Sequence, residues 1–391
     1  MLEIIAQQKE LFTRWRKDIH ANPELGFEEH RTSSFVAHKL TRWGFDEVHR
    51  NIANTGVVGV LRGNRESDKA IALRADMDAL EMDELNTFEH RSLKNGRMHA
   101  CGHDGHTAIL LATAWYLSRH RDFSGTVYFI FQPAEEGLAG AKAMVDDGLF
   151  SRFPCQRIYG MHNMPGIPQG HLWVKSGPIL ASSDRFTVDI TGKGGHAGMP
   201  HMTIDPVIVM ADLIGALQTI SSRSIKATEP IVLSITDVHA GSGTHNVIPK
   251  QALLKGCIRA FSDETRNKAI TRMSEITNGI AVAHGAEIKL TFKQGGYPAT
   301  INHPTATEIA QKAALKVLGA SKVMTDFSPL TGSEDFSFLS QCIPGCYLLI
   351  GNGVPGMKGG ICVHNPTYDF NDDIIPVGAS LFVEVVRSEL G

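Results

Sequence analysis

The sequence predicts an α/β fold in two parts, with a ferredoxin-like α+β segment inserted into a larger α/β domain. Three observations lead there. Short apolar runs of strand type alternate with helical patterns over the first half of the chain. Between about 184 and 296 the order becomes β-α-β-β-α-β, the ferredoxin-like pattern. After Tyr297-Pro298 the first texture returns and runs to the end. A length of 391 residues exceeds what one core ordinarily fills. The expected division is therefore 1–183 and 297–391 for the outer domain and 184–296 for the insert.

Taken in order, residues 1–45 read as two helices. Ile4, Ile5, Leu11 and Trp15 sit at helical spacing, and Phe35, Leu40 and Trp43 continue a second pattern beyond Asn22-Pro23. Segments 55–61 (TGVVGVL) and 70–75 (AIALRA) are apolar strand-type runs, and 107–117 reads as a helix. Segment 125–131 (GTVYFIF) is rich in β-branched and aromatic residues and stops at Gln132-Pro133. In the insert, 185–191 (RFTVDIT) alternates apolar and polar as a half-exposed strand does. A helix at about 206–220, strands at 231–238 and 252–260, a charged helix at about 265–284 and a strand at 287–293 complete it.

Composition removes several classes of function. With 38 basic and 41 acidic residues, net charge is −3, so no bulk field attracts nucleic acid or an anionic membrane. No run of 18 apolar residues occurs, which predicts no membrane span. The N-terminal segment is amphipathic and charged, without the apolar stretch of a secretory signal. Six cysteines do not make a dense disulfide framework, so a reducing cytoplasm is the expected compartment.

The chemistry gathers in short motifs. Met98-His99-Ala100-Cys101-Gly102-His103-Asp104-Gly105-His106 places a thiolate and an imidazole two residues apart, with glycines that let the backbone approach an ion. Gln132-Pro133-Ala134-Glu135-Glu136-Gly137 puts two carboxylates just past a strand, where active sites of open α/β sheets form. Adjacent carboxylates repel and call for a cation or a proton between them. One can then ligate a metal while its neighbour works as general base. Gly160-Met161-His162-Asn163 and Val363-His364-Asn365-Pro366 each add a histidine. Asp76, in Arg74-Ala75-Asp76-Met77-Asp78, could orient a ligand histidine or cap a helix. Cys101, His103, Glu136, His162 and His364 are thus five candidate ligands. One ion needs about three or four from the protein, so five suggest two ions sharing a bridging group. Thiolate and imidazole favour Mn, Zn, Co or Ni over Mg or Ca.

The motifs RADMDAL, HACGHDGH, PAEEG, GMHN, TGSEDF and HNPTYDF, in this order over nearly the whole chain, resemble the M20 metallopeptidase family. The likeness is greatest to its amidohydrolase branch: hippurate hydrolases, N-acyl-amino-acid amidohydrolases and plant auxin-conjugate hydrolases. The resemblance implies a mixed-sheet catalytic domain holding two divalent metals, with the insert as lid and dimerisation domain. It implies Cys101, His103, Glu136, His162 and His364 as ligands, Glu135 as general base and Asp76 as a second catalytic carboxylate. Many family members have His-x-Asp where this chain has Arg74-Ala75-Asp76, so Arg74 is not expected to ligate, and Cys101 stands where other branches have a bridging Asp. In the insert, His196 of GKGGHA matches a histidine thought to bind the tetrahedral oxyanion, and Asn246 and Arg259 match residues holding the substrate carboxylate. The implied substrate is a small N-acyl-L-amino acid and the implied assembly a homodimer or higher homo-oligomer. A dipeptidase, an N-acetyl-diaminopimelate deacetylase and a non-catalytic binding paralogue are the alternatives.

Other readings fare worse. GKGGHA also fits a loose dinucleotide fingerprint, but Pro200 and Pro206 interrupt the helix that would bind phosphate. No G-x-S-x-G elbow is present. The apolar neighbours of Cys342 and Cys346 predict core positions rather than a redox or zinc pair.

Overall fold

The structure, a computed structural model, describes residues 2–241, 243–293 and 296–391. It divides into two compact units: Met1–Gly177 with Ile301–Ser328 and Asp335–Gly391, and Pro178–Thr300 with Pro329–Glu334.

The first unit is built on an eight-stranded mixed sheet. Its order is Glu47–Ile52, Gly56–Arg62, Ser124–Gln132, Arg65–Asp76, Arg157–Pro165, Gly345–Gly353, Leu172–Trp173, Val323–Met324. The four strands at its centre, from Ser124–Gln132 to Gly345–Gly353, run parallel to one another. Parallel strands are covered on both faces, which is why Gly345–Gly353 is buried at every residue and Arg65–Asp76 over its last seven. The antiparallel neighbours Glu47–Ile52 and Gly56–Arg62 make the sheet mixed.

Helices His103–Leu117, Ile375–Leu390, Pro304–Leu318 and Lys9–Ala21 pack into the main core with the sheet. His103–Leu117 is buried at 14 positions and apolar on all sides, as a helix enclosed by neighbours must be. The N-terminal region forms three helices, Leu2–Gln7, Lys9–Ala21 and His30–Arg42, where two were expected. The extra break falls at Gln8, which lacks a capping side chain.

The second unit carries a four-stranded antiparallel sheet in the order Ile231–Ala240, Gln251–Ala260, Asp184–Thr191, Glu287–Phe292. With helices Pro206–Thr219 and Asp263–His284 in sequence between the strands, this is the ferredoxin-like arrangement expected. Phe186, Val188 and Ile190 alternate inward along the first strand and share a core with Val209, Leu213, Leu217 and Met273 of the helices. Asp205 caps Pro206–Thr219 by accepting the Val207 N–H at 2.9 Å, and Ser262 caps Asp263–His284 through Thr265. Pro329–Glu334 joins this unit because Leu330 exchanges backbone hydrogen bonds with Ile179 and Ala181 at 2.9 and 3.1 Å.

Cys346 is buried, as expected. Cys342 is exposed, because it ends the helix Phe336–Cys342 with its thiol turned back onto the Phe338 carbonyl. Segment 192–197 forms no phosphate-binding helix: Gly195–His196 pairs with Val247–Ile248 and a short 3-10 turn follows. Among the described residues no helix is long and apolar enough to cross a membrane.

Candidate metal centre and active site

The parallel strands deliver their carboxyl ends to one side of the sheet. Arg65–Asp76 ends on Asp76, Ser124–Gln132 leads into Glu135 and Glu136, and Arg157–Pro165 carries His162. His103 is the first residue of its helix and Cys101 lies two residues before it. His364 follows Gly345–Gly353 on a long loop and is anchored by its N–H on the Ala100 carbonyl at 2.7 Å.

All five candidate ligands converge. Ligand atoms of Cys101, His103 and His162 lie within 4.8 Å of one another, as do those of Cys101, Glu136 and His364. Cys101 belongs to both groups, the place a bridging ligand takes. Its Sγ is 3.4 Å from His162 Nε2, and His364 Nε2 is 3.3 Å from Glu136 Oε1. Glu135, with 6% exposure, forms a third group with His103 and Glu136.

Two of the three ligand histidines are oriented from behind. His103 Nδ1 is 3.0 Å from the Asp78 carbonyl and 3.1 Å from Asp78 Oδ1, so its proton belongs on Nδ1 and Nε2 points inward with a lone pair. His162 Nδ1 donates to the Asn163 carbonyl and leaves Nε2 toward Cys101. Asn163 fastens strand to loop: its Nδ2 donates to the Cys101 carbonyl at 2.7 Å and its Oδ1 accepts the Tyr368 hydroxyl at 2.8 Å. Only glycine fits at Gly102, where φ is +91° and an added Cβ would stand 2.3 Å from Asn163 Nδ2 and 2.5 Å from Tyr368 Oη.

The donor set fits a cation. His103 Nε2 and Glu136 Oε1 are buried, 4.0 Å apart, and neither makes a hydrogen bond. Such orphaned atoms are costly unless something else satisfies them. The carboxylates Asp76, Asp78, Glu135, Glu136 and Asp335 crowd the site. Burial and then Glu136 push the Cys101 thiol above its ordinary value, a bias that a divalent cation reverses.

Asp78, His106 and Asp335 contribute as well and were not singled out from sequence. Asp76 accepts from His106 Nδ1 at 2.7 Å and lies 3.8 Å from His103 Nε2, so the hydrogen bond to a ligand histidine's Nδ1 comes from Asp78 instead. Burial opposes the Asp76 charge, but His103, His106 and Arg74 outweigh it and hold the carboxyl well below the usual range. Arg74, fully buried, donates to Asp76 Oδ2 at 2.7 Å, Asp335 Oδ1 at 2.9 Å and Gln132 Oε1 at 2.7 Å. The Asp335 N–H reaches Glu135 Oε1 at 3.3 Å. Arg74, Asp76 and Asp78 lie in RADMD, His106 in HACGHDGH and Asp335 in TGSEDF; only the contacts between them were invisible.

In the insert, His196 is exposed and its Nδ1 accepts the Gly198 N–H at 3.0 Å. Asn246 meets the same ribbon, its carbonyl accepting the Ala197 N–H at 3.0 Å. Arg259 lies on Gln251–Ala260 with Nη1 buried and without a hydrogen bond.

Comparisons with known proteins agree with this geometry. The sequence pattern of Peptidase family M20/M25/M40 matches residues 72–388. The chain is 41% identical to the hippurate hydrolase of Campylobacter jejuni subsp. jejuni, covering 99% of this chain and 98% of that protein. It is 39% identical to an N-acetylcysteine deacetylase of Bacillus subtilis, covering 95% and 94%. Among solved structures, a Bacillus subtilis protein described as a dinuclear metal binding peptidase superposes with a TM-score of 0.82 at 32% identity, covering 97% of each chain. The converging thiol, imidazoles and carboxylates, the mixed sheet with its inserted unit and these matches lead to one conclusion: the chain belongs to peptidase family M20/M25/M40.

Proposed function

We propose that this M20 hydrolase cleaves the amide bond of small N-acyl-L-amino acids of the hippurate type, releasing a carboxylic acid and a free amino acid. The observation that carries the reading is the pair of three-ligand groups sharing Cys101, with the carboxylate of Glu135 beside them. Cys101, His103, His162, Glu136 and His364 would hold two divalent transition-metal ions of the Mn, Zn, Co or Ni class. Bound there, the ions supply Lewis acidity toward a water and toward the substrate carbonyl.

The chain's own residues account for the proton traffic. Glu135 takes a proton from the attacking water on a carboxylate oxygen and later delivers it to the leaving amine nitrogen. The Asp335 N–H on Glu135 Oε1 fixes which way that carboxylate faces. Asp76 acts through His106 and Arg74 rather than by touching the substrate. His196 is assigned to the oxyanion, and Asn246 and Arg259 to the substrate carboxylate. Support within the insert is the shared ribbon of His196 and Asn246 and the unmatched guanidinium nitrogen of Arg259, whose planar fork suits a carboxylate.

A homodimer formed through the insert accompanies this reading. The strand Ile231–Ala240 is paired along one edge among the described residues, and Val207, Ile208, Val232 and Val238 are exposed. Size-exclusion chromatography with light scattering tests it, and a monomer at all concentrations would refute it.

The substrate reading is tested by stripping metal with EDTA and adding back Mn, Zn, Co or Ni in the presence of N-benzoyl-glycine, N-acetyl amino acids and a dipeptide. Metal-restored cleavage led by the acylated amino acids is expected. Preference for the dipeptide would replace this reading with a peptidase.

A further inference from the structure

Glu29 is a carboxylate with 0% exposure and no ion pair among the described residues. It precedes helix His30–Arg42 yet does not cap it. The first amides of that helix are served by Glu24, whose Oε1 and Oε2 accept from the Arg31 and Thr32 N–H groups at 2.8 Å each. Glu29 turns into the core instead. Its Oε1 accepts the N–H of Ala134 at 2.8 Å, and its Oε2 accepts the Thr55 hydroxyl at 2.5 Å. A buried carboxylate held by one amide and one hydroxyl is expensive to keep unless those contacts matter.

The residue it holds is unusual. Ala134 has φ +56° and ψ +45°, a left-handed conformation that a residue with a Cβ adopts only when its surroundings impose it. Glu135 follows immediately. The chain around Gly26 presses against the same spot, since a Cβ there would lie 2.9 Å from Ala134 Cα. Beyond Ala134, Asp78 Oδ2 accepts the Glu136 N–H and Asp335 Oδ2 accepts the Ala141 N–H, each at 2.8 Å. Three buried carboxylates therefore hold amides before, within and just after the turn that carries both glutamates, and Glu29 holds the one before it.

We propose that Glu29 is a positioning residue for amide hydrolysis: by accepting the Ala134 N–H it locks the left-handed turn that aims the Glu135 carboxylate. The inference rests on Glu135 being the general base. Without that acceptor the turn can relax, and a shift of about 1 Å in a reacting group costs on the order of a hundredfold in rate.

The test uses the metal-loaded enzyme with its best N-acyl amino acid substrate, reading kcat, KM and bound metal together. Glu29→Ala is expected to lower kcat by about ten- to a hundredfold while KM and metal content stay near wild type. Glu29→Gln should recover most of the loss, because its amide oxygen can accept the Ala134 N–H and its nitrogen can donate to Thr55. Glu29→Asp, which withdraws the carboxylate by one methylene, should show the loss in a folded, metal-bearing protein even if Glu29→Ala does not fold. Wild-type kcat in folded Glu29→Ala or Glu29→Asp overturns the proposal, as does a Glu29→Gln enzyme no better than Glu29→Ala. Glu135→Gln is measured alongside: turnover retained there removes the base assignment itself, whereas an inactive Glu135→Gln with fully active Glu29 variants removes only this inference.

Discussion

Arg74 Nη1 donates to Asp76 Oδ2 at 2.7 Å, and both side chains are wholly buried at the end of one strand. The same guanidinium reaches Asp335 Oδ1 at 2.9 Å, so one cation offsets two interior carboxylates. Removing it takes a cation away from both, leaving Asp76 to His106 and His103 and Asp335 to neutral donors such as Gln132 and the Ala141 N–H. Arg74→Met should destabilise the protein by about 3–5 kcal/mol, the range for breaking a buried ion pair. Urea unfolding followed by circular dichroism measures it, and a change below about 1 kcal/mol would show that the pair is dispensable.

His20 predicts how stability depends on pH. Its ring is buried, with Nδ1 2.8 Å from Asp104 Oδ2 and Nε2 3.2 Å from Glu84 Oε1. Burial works against its charge, but Asp104 and Glu84 prevail and raise its pKa to about 9. A raised histidine stabilises the folded state fully below its unfolded value of about 6.5. That contribution is lost as pH climbs through about 9. Unfolding free energy should therefore fall by on the order of 3 kcal/mol between pH 6.5 and 9.5. His20→Gln should flatten that slope. An unchanged slope in the variant would assign it to other groups.

Gly102 tests the packing behind the ligand loop. Gly102→Ala requires a Cβ 2.3 Å from Asn163 Nδ2 in a backbone with φ +91°. Loss of about 2 kcal/mol or more of stability is expected, together with weaker metal retention, because Asn163 also holds the Cys101 carbonyl. Elemental analysis after dialysis gives the second readout, and wild-type metal content would separate this glycine from the site.

Cys101 is the one residue common to both ligand groups. Cys101→Ser should lower bound metal for both positions, where His364→Ala should chiefly affect the group it shares with Glu136. Two ions retained in Cys101→Ser would refute the bridging assignment.

What was legible in the sequence was local. HACGHDGH and PAEEG bring donors together within a few residues, so their chemistry shows without knowing the fold. The ferredoxin-like order of the insert was readable because strands such as Asp184–Thr191 alternate in and out with period two. Pairings across long separations were not readable. Glu29 and Ala134 are 105 residues apart, and Arg74 and Asp335 are 261 apart. Nothing in either local segment says which distant chain will arrive. Asp78 escaped notice for a subtler reason. It shares RADMD with Asp76, and only the side of the turn each faces decides that Asp78 supports His103 while Asp76 supports His106. Cys342 shows the limit of judging burial from neighbours, since its exposure depends on where a short helix ends.

The most direct test of the central claim is turnover and metal content of Glu135→Gln, measured together against wild type on the best N-acyl amino acid. The account predicts two bound ions in both proteins and a fall in kcat of about 10²–10⁴ in the variant, the range that a general base contributes. A variant that binds metal normally and keeps kcat within about tenfold of wild type would contradict it.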